Sequence, residues 1–599
     1  MQGLILAAGM GKRLKELTQN NTKCMVKVNG VALIDRMLHQ LDVCGLERII
    51  IVVGYEGQKL IDYIGTLSVA TPIVYVENPV YDKTNNIYSL FLARDKLEED
   101  DTLLLESDVI FEDSILQKLL GDPRPTLALV DKYESWMDGT CVKLSEDDRI
   151  EAFVPGSKFV FADIPEYYKT VNLYKFSREF SQKYYVPFLE AYSQALGNNE
   201  YYEQVLRVIT MLDDPQIRAK KLSGEKWYEI DDEQDLDIAS SMFAPTWQEK
   251  LRTVQSRYGG YWRYPHLLDF CYLVNPYYPP RRLVDEMQAS FETLLTQYPS
   301  GMQVNSLLAA KNFGIHREHI VVGNGAAELI KCLVEKMEGP TGVVRPTFEE
   351  YPHRMRCEEV VFTPDNADYR YTADDLMAFF TVHPVENLIL INPDNPSGNY
   401  IPKADVLRLA QWCRERNICF VLDESFVDFA DEEDSTCIHE PILRAYPNML
   451  VMKSISKSYG VPGVRLGVLA SADEARIATM KKEVAIWNIN SFGEFYMQIA
   501  EKYNKDYRAA LVQLRQERRR FQEALAALPG LRVIPSQANY VMVELLDGRS
   551  ATELTARLLE KDVLVKDLSA KLSGKTYLRL AVRNTQDNDR LLAALREAL

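Results

Sequence analysis

Short apolar runs alternate with amphipathic stretches along the whole chain. Residues 4–8 read as a buried strand that enters a glycine loop. Ile34, Met37, Leu38 and Leu41 recur at helical spacing, Gly45 stops that helix, and Ile49–Val53 is the next buried run. Residues 103–105 form another, ending in Glu106, Ser107 and Asp108. Further on, 388–391, 420–422 and 450–452 are apolar and each gives way to a polar loop. Strands alternating with helices predict parallel sheets covered by helices, an α/β fold class. Ligands bind such sheets at the carboxyl ends of the strands, so chemistry is expected in the loops that follow these runs.

Length and charge narrow the picture. The 599 residues exceed what one core organises, so two domains are expected. Pro245 and the pair Gly259-Gly260 mark a break, predicting domains at 1–242 and 263–599 with a linker at 243–262. A net charge of −17 argues against a nucleic-acid partner. No apolar run reaches the length of a membrane span, and the first residues enter a strand pattern instead of a secretory leader. The nine cysteines are scattered without paired spacing, which predicts reduced thiols and a cytoplasmic protein.

In the first half, Leu6, Ala8, Gly9 and Gly11 lead into Lys12 and Arg13. Two glycines let backbone N–H groups approach phosphates, and two cations can neutralise a triphosphate and a leaving pyrophosphate. Lys23 follows ten residues after Arg13, Asp108 ends a strand, and Asp231 closes the stretch 227–231. Carboxylates distant in sequence can share a magnesium ion. Together these motifs resemble the sugar- and choline-phosphate nucleotidyltransferases, with a Rossmann-like fold. The resemblance implies that Leu6, Ala8, Gly9, Gly11, Lys12, Arg13 and Lys23 bind nucleotide, that Arg13 and Lys23 are catalytic, and that Asp108 and Asp231 hold Mg²⁺. Cys24 departs from the pattern, standing where many members have proline. Residues 81–90 look most like the cytidylyltransferases that activate phosphocholine, which implies CTP and an acceptor bearing an amine. Trp136 and Glu229 are the candidates for meeting that amine.

The second half offers what pyridoxal phosphate (PLP) requires. Lys457 follows an apolar run, flanked by Ser454 and Ser456, with Arg465 a little further on. Asp423 ends a strand and can keep a pyridine nitrogen protonated; Asn395 lies in a turn from which it can donate to the phenolic oxygen. Gly325, Ala326 and Ala327 open a helix whose start can hold a phosphate, and Phe348 can stack on the ring. These residues resemble the fold-type-I aminotransferases near histidinol-phosphate aminotransferase and threonine-phosphate decarboxylase. That implies a Schiff base on Lys457, a substrate carboxylate on Arg579 and a homodimer formed through this half. Phe426 departs from the aminotransferase pattern, which has tyrosine three residues after the ring aspartate, and looks more like the decarboxylase branch.

The combination resembles the bifunctional cytidylyltransferase/aminotransferases of phosphonate biosynthesis. The expectation is transamination of phosphonoacetaldehyde to 2-aminoethylphosphonate, followed by cytidylyl transfer to give CMP-2-aminoethylphosphonate. The alternative joins a cytidylyltransferase for phosphocholine, phosphoethanolamine or phosphoserine to a PLP-dependent phosphoserine- or threonine-phosphate-type decarboxylase. A third reading, in which the first half only senses nucleotide, leaves the simultaneous presence of Arg13, Lys23, Asp108 and Asp231 without a purpose.

Overall fold

The strand Ile49–Val53 is buried at every position, as a strand must be when helices cover both faces of its sheet. It belongs to the first of two units, Met1–Pro265 and His266–Leu599, in a computed structural model that describes residues 1–264, 266–572 and 576–599. In the first unit the sheet runs Ile73–Glu77, Ile49–Val53, Gln2–Ala7, Thr102–Glu106, Tyr167–Phe176, Cys141–Leu144, Ile150–Val154. The first four strands are parallel and Tyr167–Phe176 turns the direction. Side chains alternate across this sheet. Ile5, Ile49, Ile51, Leu103 and Leu105 pack into one core, whereas Leu4, Leu6, Ile50, Val52 and Leu104 pack into another on the opposite face.

Strand order fixes where a ligand can sit. The chain leaves Gln2–Ala7 toward Ile49–Val53 on one side, while Thr102–Glu106 lies on the other. The loops after Ala7 and Glu106 therefore diverge and leave a crevice between them, the switch point of an open α/β sheet.

The stretch 243–262, expected to be a linker, contains the helix Trp247–Ser256. Thr246 caps it by accepting the amide of Glu249, Leu251 and Val254 are buried, and it contacts the helix Glu233–Met242. Proline and glycine flanked this helix without entering it, so the break in composition marked its ends. The division between units falls after it.

The second unit holds a seven-stranded sheet in the order Ile320–Asn324, Leu466–Ala470, Met449–Ser454, Cys419–Asp423, Asn387–Ile391, Thr341–Val344, Glu359–Phe362. Leu466–Ala470 runs antiparallel to both neighbours; the last five strands are parallel. A smaller antiparallel sheet is built from Leu531–Ile534, Tyr540–Leu545, Tyr577–Ala581 and Lys566–Asp567. Parallel sheets alone were expected. The antiparallel strands escaped notice because a short buried apolar run carries no mark of direction.

Leu104 is fully buried at the centre of the first sheet. Leu104→Ala is expected to lower the denaturant stability of the first unit by about 2–5 kcal/mol, and Leu104→Met by less than about 1.5 kcal/mol. Equal losses for the two would show that this face is not close-packed.

Candidate active sites

In the first unit the loop after Ala7 reaches Gly11 in the left-handed region, at φ +60°. A β-carbon there would lie 3.1 Å from the Cβ of Lys23, so the glycine lets the two segments pass. Thr18 locks the loop by donating to the Gly11 carbonyl at 2.8 Å. Gly9 borders open space and forms, with Gly11, a bare backbone edge to a cleft of about 550 Å³. Lys12 and Arg13 stand exposed at its rim, and Leu6 and Ala8 line it.

Asp231 reaches the same place through a strand pair. Trp227–Glu229 runs antiparallel to Val109–Phe111, with Glu229 opposite Val109, and the Ile230 amide donates to the Asp108 carbonyl at 3.0 Å. The Lys23 ammonium then sits 2.5 Å from Asp108 and 2.7 Å from Asp231, which also receives Arg13 at 2.8 Å. Burial pulls the Lys23 pKa down, but the two carboxylates outweigh it and hold the group firmly protonated. Burial pushes Asp231 up, and Lys23 and Arg13 bring it below its ordinary value.

One oxygen each from Asp108, Glu229 and Asp231 lies within 4.8 Å of the others. Asp108 Oδ1 is buried with no hydrogen-bond partner. A hard-oxygen donor set with an orphaned acceptor, and an ammonium resting where a cation would, fits a magnesium ion. Glu229 is in turn held 3.2 Å from the buried Lys169. Burial raises its pKa, Lys169 opposes that, and Asp108 and Asp231 add to the rise.

In the second unit the strand Met449–Ser454 feeds the short helix Ile455–Ser458, which presents Lys457. Asn275 fixes this turn: its amide N–H donates to the Lys457 carbonyl at 3.0 Å and its side chain to the Ser458 carbonyl at 2.9 Å. Burial, then Arg579 and Arg465, push the Lys457 amine down to about 8 against the opposing pull of Asp423. Asp423 is buried and accepts the Tyr351 hydroxyl and the Ser425 amide, both at 2.8 Å. Burial nevertheless leaves its pKa raised.

The start of the helix Ala326–Val334 is stripped for contact. Gly325 has φ +72°, and a β-carbon there would lie 2.5 Å from the Arg465 guanidinium. A β-carbon on Gly467 would lie 2.3 Å from the Ala326 nitrogen. Ser456 Oγ is buried and unpartnered. A guanidinium, an orphaned hydroxyl and a helix start suit a phosphate, and a buried carboxylate beside a lysine of lowered pKa suits an aldehyde cofactor with a basic ring nitrogen. The residues fit PLP. Arg579 donates to Asn395 Oδ1 and to the Cys271 carbonyl, each at 2.8 Å.

Two family models match: MobA-like NTP transferase domain over residues 3–141, and aminotransferase class I and II over 281–595. The chain is 33% identical over 602 residues to the CMP-5'-(3-aminopropyl)phosphonate synthase of Streptomyces rubellomurinus, spanning 100% of this chain and 95% of the relative. The chain belongs to the aminotransferase class I and II family, fused to an NTP transferase domain. Within the fusion, the second half is 33% identical over 353 residues to the L-serine phosphate decarboxylase of Sulfurospirillum multivorans, covering 55% of this chain and 88% of that one. A solved decarboxylase structure from the same organism matches with a TM-score of 0.52 at 32% identity, covering 57% of this chain and 90% of that one.

The fusion's structure brings most of the expected residues together and moves some. Trp136, expected to meet an amine, does not line the cleft. It stacks on Tyr228 at 4.2 Å and 10°, and its indole N–H donates to Glu134. An aromatic residue in a loop carried no periodic sign of which way it would face. Phe348 is 40% exposed, with no ring contact among the described residues. Cys24 is buried, with Thr22 Oγ1 at 3.1 Å from its sulfur, so it serves packing. Sequence reasoning missed Glu106, Lys169, Asn172 and Glu203 in the first site and Tyr351 in the second. Only Asn172, at φ +61°, has an unusual backbone, and that becomes visible only in the folded chain.

A lysine pKa of about 8 against an unfolded value near 10.5 means that, between those values, the unfolded apoprotein binds more protons. Stability of the apoprotein therefore gains from this group as pH rises from about 8 to 10.5. Lys457→Met lacks that increment, so the wild-type minus variant difference in unfolding free energy is expected to rise by roughly 3 kcal/mol across that range. A difference flat across that range would show that the amine is not perturbed.

Proposed function

We propose that the chain is a bifunctional enzyme that makes a short aminoalkylphosphonate on its second unit and activates it as a CMP ester on its first. The observation that carries this reading is the first cleft: a bare glycine edge, an exposed pair of cations, and three converging carboxylates around Lys23. The full-length likeness to a CMP-5'-(3-aminopropyl)phosphonate synthase supports the class of acceptor.

In the first unit, backbone N–H groups around Gly9 and Gly11 cradle the triphosphate of CTP, while Lys12 and Arg13 balance the departing pyrophosphate. Magnesium, when held by Asp108 and Asp231 with Glu229 beside them, supplies charge neutralisation at the phosphate oxygens. Lys23 keeps its proton and positions the phosphates as it now positions the two aspartates. The acceptor's phosphonate oxygen is already anionic, so it attacks the α-phosphorus in line without a base; the bond to pyrophosphate breaks and CMP-2-aminoethylphosphonate forms.

For the second unit we propose PLP-dependent transamination of phosphonoacetaldehyde to 2-aminoethylphosphonate. The cofactor, when bound, supplies an electron sink. Arg579 holds the carboxylate of the amino donor, Asp423 keeps a proton on the ring nitrogen, Ser454, Ser456 and Arg465 hold the phosphate with the helix start at Gly325, Ala326 and Ala327, and Phe348 covers the ring. Lys457 takes the proton from the donor's Cα. A second reading has its own observation. Phe426 is buried, edge-on to Tyr540 at 5.1 Å, where an aminotransferase of this group would place a hydroxyl. That favours decarboxylation of a phosphoserine-like amino acid, in keeping with the decarboxylase relatives.

We also propose a cytoplasmic homodimer through the second unit, which exposes Phe291, Leu295, Ile486 and Trp487. A monomer mass in sedimentation would end that proposal.

Two assays test the reactions. Full-length protein with CTP, Mg²⁺ and 2-aminoethylphosphonate is expected to release pyrophosphate, and a chelator to stop it. With L-alanine alone, the holoenzyme is expected to form pyruvate and change the spectrum of its bound cofactor. Carbon dioxide from phosphoserine, with no oxo acid formed, would replace transamination by decarboxylation.

A further inference from the structure

The cleft of the first unit contains more carboxylates than its cations answer. Asp108 and Asp231 are paired by Lys23 and Arg13, and Glu229 by Lys169. Glu106 and Glu203 also line the cleft, and among the described residues neither has a cation within salt-bridge distance. Glu203 is 5% exposed, and its Oε2 is buried without a hydrogen-bond partner. Glu106 receives only a long 3.4 Å contact from the Asn86 side-chain amide, whose oxygen accepts the Tyr202 amide at 3.0 Å and so ties the segment bearing Glu203 to the same spot.

Burying an unpaired carboxylate is costly, and a cationic donor brought by a ligand offsets that cost. We propose that Glu106 and Glu203 form the subsite for the acceptor's ammonium group, and that it accepts a primary ammonium while rejecting a quaternary one. This rests on the cytidylyltransferase reading of the first unit. A primary ammonium carries three N–H donors, which carboxylate oxygens can accept. A trimethylammonium group has none, and it is held instead by aromatic faces. The described aromatic residues lining this cleft are Tyr81 and Tyr201, and Tyr201 is 55% exposed. Trp136, which could have completed a cage, is occupied by Tyr228. A quaternary ligand would bring its charge but leave the carboxylate lone pairs unmatched.

The test uses the full chain, CTP and Mg²⁺, with pyrophosphate release as the readout. The wild-type protein is expected to prefer 2-aminoethylphosphonate over its N,N,N-trimethyl analogue by about 100-fold in kcat/KM, as sites built around hydrogen bonds reject partners lacking them. Glu203→Gln and Glu106→Gln are each expected to raise the KM for 2-aminoethylphosphonate about tenfold, the loss of one charge-assisted hydrogen bond, with the KM for CTP unchanged. Equal use of the two acceptors by the wild type overturns the inference without any variant, and so does an unchanged acceptor KM in both variants. If no amine-bearing phosphonate or phosphate is turned over at all, the cytidylyltransferase reading falls first and the subsite with it.

Discussion

Lys23 joins two carboxylates that the chain delivers from positions 108 and 231, and the first site depends on that bond pair. Charged groups leave water at a large cost unless opposite charges meet them. Asp108 is 9% exposed and is met there by the Lys23 ammonium. Its place at the end of Thr102–Glu106, beside the loop that follows Gln2–Ala7, is dictated by strand order; the pairing of Trp227–Glu229 with Val109–Phe111 then brings Asp231 beside it. The meeting of these groups at the crevice is thus a consequence of topology, with Lys23 as the clasp between the two aspartates.

The second unit handles charge in the opposite way. Lys457 is surrounded by burial and by Arg465 and Arg579, and its side-chain nitrogen makes no hydrogen bond or ion pair among the described residues. Its amine is consequently easier to deprotonate, as a nucleophile that must attack a carbonyl near neutral pH requires. Lys23 is a cation made permanent by its neighbours, whereas Lys457 is one made labile by them. On the proposed reading the same residue type would serve positioning in one unit and covalent chemistry in the other, and what separates the two lysines is whether carboxylates or guanidiniums stand nearby.

Much of this was legible before folding. Gly9, Gly11, Lys12, Arg13 and Lys23 sit close together in sequence, and so do Ser454, Ser456 and Lys457, so local spacing exposes them. Asp108, Asp231 and Asp423 were readable because each stands at or just past the end of a strand-like stretch. Glu106 and Glu203 were not, since one acid among many has no pattern and their meaning lies in having no counter-ion, a property of three-dimensional neighbours. Tyr351 was hidden for the same reason: its link to Asp423 spans seventy-two residues. Trp136 misled because aromatic residues serve core and ligand alike, and the helix Trp247–Ser256 was overlooked because glycine and proline outside it drew attention from Leu251 and Val254 within.

The contact between Arg579 and Asn395 links two parts of the second site that a residue inventory would treat separately. Asn395 accepts Arg579 on its side-chain oxygen at 2.8 Å, which fixes the orientation of the amide and leaves its N–H₂ as the group free to donate. When the cofactor is bound, that donor is the one expected at its phenolic oxygen, and with Phe426 in place of a hydroxyl no second donor comes from that position. A substrate carboxylate drawing Arg579 toward itself would therefore loosen or tighten the remaining donor through one guanidinium. On the proposed reading, occupancy of the carboxylate site and the electronics of the ring would be coupled through that guanidinium. This unit should consequently distinguish substrates with a carboxylate from those without by more than the affinity of one ion pair.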